Sequence, residues 1–451
     1  MSTKLRHRKT DFLFTGFALF AMFFGAGNLK FPPQLGLLSG DEWPLGFIGF
    51  FIADAGLATL GMFAMMRHDG DIFQITAPLG KVMGKVLAVV VVLCIGPCIA
   101  IPRTGLVTYS IGVVPVTGIE ESNKMALGIF SIVFFAIVYI LSIKRSRVVD
   151  IVGKILTPLL LISLFVLLIT GITSPDSNIG APLSENCVQE GVVNGYQTMD
   201  ALASLIFAGI IITSLQVRGY ETSQKEGRVQ LGKCSLVACI LLFIVYGGLT
   251  FLGAAFGGQW SEAVLSGKVD QATLLINIVN SLLGKGGVIV IAIIVLFACL
   301  TTAIGLTSSL STFFVDLTKE KLSYKAFVIL ICVCGMLLCN VGLTEIISLA
   351  APILLFVFPL VIVLMALGMF KGKLKSCYPH VFGGIVALIV SGLTIACDSF
   401  GVQSLDWVNE LPFAEYGLNW TIPALVAVVI GLVVEKIKFK NDGTAKLPED
   451  N

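Results

Sequence analysis

Phe23-Phe24-Gly25-Ala26-Gly27-Asn28-Leu29-Lys30-Phe31-Pro32-Pro33 interrupts a long apolar stretch that begins near residue 11. In hydrocarbon every backbone N–H and C=O needs a partner, so a spanning helix normally runs unbroken. Two glycines, an asparagine and two prolines ask for the opposite. Irregular backbone survives at membrane depth only where it is buried in protein or lines a cavity, and there it can hold a substrate or an ion. Residues 25–28 are therefore expected to be unwound midway through a bilayer, as a binding site.

The rest of the chain agrees with a bilayer. Of 451 residues 56% are hydrophobic and 13% charged, against about a quarter charged in soluble domains. Mean hydropathy is +0.95. These values exclude a soluble protein and imply an all-α polytopic membrane protein. The net charge of +2 points to no nucleic-acid partner. Most of the eleven cysteines lie inside apolar runs and read as small hydrophobes. A disulfide between Cys187 and Cys397 stays open. No Cys/His spacing suggests a metal site, and His7, His68 and His380 form no catalytic constellation. With no nucleophile motif or phosphate-binding glycine loop either, no enzyme and no cofactor are expected.

Hydropathy places twelve spans near 11–37, 44–66, 86–111, 125–143, 150–172, 196–216, 235–256, 288–314, 326–343, 345–369, 380–397 and 420–435. The basic start (Lys4, Arg6, Arg8, Lys9) precedes a run too long for a signal peptide, so it reads as the flank of a retained first span. With the N-terminus inside, only Lys30, Arg103, Lys124, Lys268 and Lys285 of the 30 lysines and arginines fall away from cytoplasmic segments. Both termini are thus expected in the cytoplasm. Segment 257–287 is too polar to span and is expected as a helix over the outer mouth.

At the break, a half-helix starting near Ala26 points free N–H groups inward, which suits a carboxylate. A half-helix ending near Phe24 points free carbonyls at the same place, which suits a cation. Thr301, Gly305, Ser308 and Thr312 form a small, hydroxyl-bearing stripe on the eighth span. If spans one to five and six to ten are inverted halves, the sixth should break too, within Tyr196–Leu205, where Asp200 stands among small residues.

Phe24–Asn28 with Phe31-Pro32, together with Gly305–Ser309, resembles the leucine-transporter fold. The resemblance implies carbonyls of Ala21, Phe24 and Ile304 and hydroxyls of Thr307 and Ser308 as sodium ligands. Amides of Ala26 and Gly27 would take a substrate carboxylate. More narrowly, Phe23–Pro33, Gly96-Pro97, Ala100–Thr104, Gly153–Pro158 and Gly195–Ala201 resemble the bacterial branched-chain amino acid:cation symporters. That implies a sodium-driven importer of leucine, isoleucine and valine in the bacterial inner membrane. It would work by alternating access. Ser110, where an acid is expected, and Asp54, in a normally apolar span, depart from the pattern.

The expected architecture is an inverted five-plus-five repeat (1–172 and 173–370) with discontinuous first and sixth helices. Residues 371–451 add two peripheral helices and a tail. Expected substrate-binding residues are Ala26, Gly27, Asn28, Asp200, Ala203 and Phe207, with Leu202 and Ile206 supplying aliphatic surface. Asp200 could bind a cation, orient the ammonium or cap its half-helix. Lys30 and Glu345 are expected as an outer gate. Asp54 reads as a locally satisfied carboxylate, with a proton relay or pairing with Arg103 as alternatives. Lys154 reads as a snorkelling interface lysine; reaching Thr307 and Ser308 would instead imply proton coupling. The rivals are a proton-coupled carrier, another neutral amino acid such as methionine as cargo, and a channel or non-transporting sensor.

Overall fold

Apolar composition becomes helix: no strand occurs among the described residues. The computed structural model describes residues 10–442 apart from 176, 222–223, 342 and 401–402, with side chains at 285, 343–352, 354, 398–400, 403 and 439–442 outside the description. Among the described residues eight helices are long and apolar enough to cross a bilayer, and Asp11–Phe23, Gln271–Leu283, Tyr324–Cys339 and Leu355–Gly368 are shorter apolar helices.

Two broken rods stand at the centre. The first is α1 (Asp11–Phe23) followed by α2 (Ala26–Ser39). Gly40, at φ +49°, then turns the chain into Trp43–Phe51. From there a π-turn, Ile52–Gly56, leads into Leu57–Arg67. Further on, Lys81–Leu93 passes through a kinked turn at Cys94–Cys98 into α3 (Ala100–Val107). The second rod is α4 (Cys187–Gln197) followed by α5 (Asp200–Val217). Long helices α6 (Lys225–Phe256) and α7 (Gly287–Leu317), then α8 (Tyr324–Cys339), complete the surroundings.

Side-chain caps start several helices where sequence would place them. Asn123, Asn186, Asp270 and Ser323 each accept a backbone N–H from the first turn. Contact between rods relies on missing side chains. At the α2–α6 crossing, a Cβ on Gly36 would collide with the Thr250 carbonyl, and one on Gly253 with the Pro33 carbonyl. Small residues that let backbones touch are how helices pack where no hydrophobic force separates protein from lipid.

Large apolar side chains face outward on Lys124–Ser142 and Thr157–Thr173, among them Ile129, Ile132, Ile140, Ile162, Ile169 and Ile172. Such a belt suits lipid contact. Gln271–Leu283 buries Leu274, Leu275, Ile278 and Val279 and packs on α2 and α7, so the polar segment 257–287 does hold a helix. Tyr378–Phe400 and Thr421–Asp442 pack on each other, and the former also on Leu343–Gly368. The Cys187–Cys397 disulfide does not form: Cys187 Sγ is directed at Ser39 O and Cys397 Sγ at Asp406 Oδ1.

Candidate functional site

The first break is shorter than residues 25–28 and lies one residue earlier. Only Phe24 (ψ 82°) and Gly25 (φ −110°, ψ −162°) leave helical geometry, and Ala26 to Asn28 already belong to α2. One bond, Phe24 N–H to Phe20 O at 2.8 Å, closes α1. The remaining carbonyls at its end, and the first amides of α2, are left for other partners. Pro32 and Pro33 sit inside α2 and lack the N–H groups that Asn28 and Leu29 carbonyls would accept.

The second rod breaks as well. Thr198 and Met199 separate α4 from α5, and Met199 adopts a left-handed φ of 64°. Thr198 Oγ1 donates to Gly195 O at 2.7 Å.

Asn28 ties the two breaks together. Its Nδ2 donates to Asp200 Oδ2 at 2.7 Å and reaches Tyr246 Oη, on α6, at 2.5 Å. Asp54, on the π-turn Ile52–Gly56, accepts from Thr198 Oγ1 at 2.5 Å, and its other oxygen, Oδ2, is buried without a partner among the described residues. π-turns widen a helix and often mark functional sites; here one carries a carboxylate into the junction. Phe24 and Phe50 flank the Tyr246 ring at 6.1 and 5.2 Å between centroids.

A cavity of about 80 Å³ lies against both breaks. Ala26, Gly27, Asn28, Asp200, Ala203 and Phe207 all line it, with Ile95, Ile99, Arg103, Thr302 and Leu306. A larger cavity of about 490 Å³, lined by Ile206, Leu310, Phe313, Asp69, Arg145 and Asp316, opens on one side of α5 and α7. The smaller one touches both chain breaks and all six expected substrate-binding residues, so we take it as the candidate site; the larger, next along α5 and α7, is called the vestibule.

The face of α7 that meets the first break is not the expected one. Thr301 Oγ1 lies 2.8 Å from Ala21 O, and Thr302 Oγ1 lies 3.1 Å from both Met22 O and Ala298 O. Gly305 packs on Met22. Ser308 instead bonds to Tyr324 Oη of α8 at 2.9 Å, and Thr307 Oγ1 is buried with no partner among the described residues. Ile304 is fully buried. Thr307 and Ser308 are displaced six positions from Thr301 and Thr302, about 9 Å along the helix. The run Ala298–Thr302, at the midpoint of Gly287–Leu317, matches the depth of the break and was the available signal.

At the far end of α1, Arg218 Nη1 contacts Asp11 Oδ1 at 3.0 Å and Nη2 contacts Asp150 Oδ1 at 2.8 Å; Lys154 meets the same Asp150 oxygen at 2.7 Å. Lys154, 41% exposed, belongs to this cluster rather than to Thr307 and Ser308. Lys30 lies over the Phe31 ring at 5.5 Å, and the Glu345 side chain falls outside the described residues.

Comparison with known proteins places the chain. Residues 8–438 match the family described as branched-chain amino acid transport protein. The chain belongs to this family. It is 36% identical to the branched-chain amino acid transport system 2 carrier protein of Pseudomonas aeruginosa, over 95% of this chain and 97% of that protein. It is 34% identical to the branched-chain amino acid permease BraB of Bacillus subtilis, over 94% and 95%. Identity to the permease BrnQ of Escherichia coli is 32%, over 97% and 98%. A solved Na+-coupled sialic acid symporter, substrate-bound and outward-open, superposes with a TM-score of 0.60, covering 94% of this chain and 90% of that one, at 14% identity. That likeness shows a shared fold.

Within this family member, sequence reasoning missed Thr302 and left the role of Arg103 open. Leu202 is fully buried away from the cavity and Ile206 lines the larger one; the aliphatic side chains that line the smaller cavity are Ile95 and Ile99, from the third span, and Leu306. Arg103 reaches the cavity because Gly96 leaves helical geometry (φ −92°, ψ −108°) and re-aims α3.

Proposed function

We propose that this family member is a sodium-driven symporter that imports leucine, isoleucine and valine across the bacterial inner membrane. Twelve spans, an inverted five-plus-five core and two peripheral helices carry the alternating access, with both termini cytoplasmic. The observation that carries the reading is the joining of two broken helices over one cavity, with the hydroxyls of α7 on the carbonyls of the first break.

The zwitterion's ends find opposite surroundings. Ala26 and Gly27 amides open α2 and carry its positive end, suited to a carboxylate. Asp200 and the carbonyl end of α4 suit an ammonium. Ile95, Ile99, Phe207 and Leu306 offer an apolar wall to a branched side chain. Sodium is assigned to oxygens of Ala21, Phe24, Ala298, Thr301 and Thr302, an all-neutral set appropriate to a hard monovalent cation. Each hydroxyl that donates to a carbonyl can rotate and offer its lone pairs to a cation instead. The ion joins α1 to α7, so its binding favours one arrangement of the broken rods over the other.

A proton-coupled version has its own support: Asp54 and Asp200 meet within one junction through neutral donors, and Asp54 Oδ2 lacks a partner. Radiolabelled leucine uptake in proteoliposomes, with sodium and proton gradients imposed separately, decides between them. Uptake driven by sodium alone is expected. Uptake driven by protons in sodium-free medium would replace the assignment.

A further inference from the structure

We propose that Arg103 is the residue that anchors the substrate's α-carboxylate, as a guanidinium with no ion-pair partner among the described residues. The assignment rests on the amino-acid carrier reading above and names a contact that reading leaves to backbone amides.

Arg103 lines the central cavity from α3. Its Nη2 stands beside the start of α2: a Cβ built on Gly27 would lie 3.0 Å from it. Its Nε is buried with no hydrogen-bond partner among the described residues. The ion pairs among the described residues join Arg218 to Asp11 and Asp150, and Lys154 to Asp150, none of them near the cavity. Asp200 and Asp54, the carboxylates closest to hand, each accept a hydrogen bond from Asn28 or Thr198, and Asp200 attracts the guanidinium only from beyond ion-pair distance. A guanidinium inside the membrane with donors left over is costly unless an anion meets it.

Geometry selects which anion. Guanidinium is a planar fork with five donors that matches a carboxylate through two parallel bonds. The first amides of α2 open at the same break, in the turn that carries Gly27 next to Nη2. A carboxylate seated there meets both groups at once. Asp200, across the second break, stays available to the ammonium. Gly27 keeps the approach open, because any side chain there would press on the guanidinium. Specificity follows: a ligand that lacks the carboxylate leaves the arginine unpaired and is rejected by more than its missing bonds.

The test is displacement of radiolabelled leucine from the purified full-length protein in saturating sodium, by leucine, leucinamide and isopentylamine, together with ligand-free thermal unfolding. Wild type is expected to prefer leucine strongly over both carboxylate-free analogues. In Arg103→Gln the leucine affinity should fall about 30-fold or more, and the preference over leucinamide should collapse. Ligand-free Arg103→Gln should unfold no earlier than wild type, since an unpaired buried cation has been removed; a structural counter-ion would give the opposite shift. Arg103→Lys keeps the charge and loses the fork, so about a tenfold loss confined to leucine is expected. Arg103→Gln with leucine affinity within threefold of wild type and its preference intact would overturn the assignment. Should that variant fail to fold, Arg103→Lys decides: leucine affinity within twofold of wild type overturns it. Leucine binding that requires chloride, with the requirement lost in Arg103→Lys, would give the arginine to an inorganic anion and overturn it too. Wild-type protein that binds no leucine would sink the carrier reading and this assignment together.

Discussion

The two chain breaks serve one cavity and are built in opposite ways. At the first, Gly25 holds extended backbone open to any residue (φ −110°, ψ −162°), and its missing side chain matters for space, since a Cβ would lie 3.1 Å from Thr302 Oγ1. At the second, Met199 holds the left-handed φ of 64° that favours glycine, yet carries a full side chain. Glycine marks the close approach, and strain marks the turn. A left-handed non-glycine residue costs on the order of 1–2 kcal/mol and persists only when its surroundings over-determine it. Here the surroundings are Thr198 bonded to Gly195 and Asp54, and Asp200 bonded to Asn28.

The largest effect is expected from cutting the tie between the breaks. Asn28→Ala strands the Asp200 carboxylate and Tyr246 hydroxyl without their shared donor, and leucine uptake should fall about 100-fold or more at unchanged surface expression. Near-normal uptake would mean that the breaks act independently. Gly25→Ala crowds Thr302 without straining the backbone. We expect roughly a tenfold rise in the sodium concentration needed for half-maximal uptake, with thermal stability in saturating sodium little changed; loss of fold instead would show that backbone freedom is what this glycine supplies.

This contrast also explains what could be read in the sequence. The first break announces itself because space and chain reversal demand glycine and proline, residue types that local pattern exposes. The second has no such signature: Met199 is an ordinary apolar residue, and only Asp200 in a span hinted at it. The pairing of α7 with α1 was legible in kind but not in register. Hydroxyls recur at Thr301, Thr302, Thr307 and Ser308, and a shift of six residues leaves composition unchanged while moving the hydroxyls that meet the break about 9 Å. Packing of Gly305 on Met22 and of Ser308 on Tyr324 fixes that register, and both are tertiary contacts. Arg103 was visible as a charge in a span, but its aim depends on the irregular backbone at Gly96.

Smaller effects sharpen the comparison at the far ends of the rods. Arg218 clasps Asp11 on α1 and Asp150, bringing the tails of both broken rods together. Arg218→Gln should leave leucine binding within about threefold while raising labelling of a cysteine introduced at Ile210, in the vestibule, several-fold. Unchanged labelling would show that the clasp does not hold that end shut. Met199→Gly relieves the strained φ but frees the unfolded chain, so thermal unfolding should move by no more than about 1 kcal/mol equivalent. Met199→Val, with a branched side chain in the same φ, should destabilise by about 1–2 kcal/mol; equal stability of the two would remove strain from the account. Lys154→Ala breaks only an exposed pair, and uptake should stay within about twofold.

Sodium activation of leucine binding, compared between two paired variants of α7, tests the central claim most directly. Thr301→Ala with Thr302→Val should raise the half-saturating sodium concentration about tenfold or more, while Thr307→Ala with Ser308→Ala leaves it within about twofold. An unchanged curve in the first pair, or the large shift in the second, would contradict a cation held between the first break and the middle of α7.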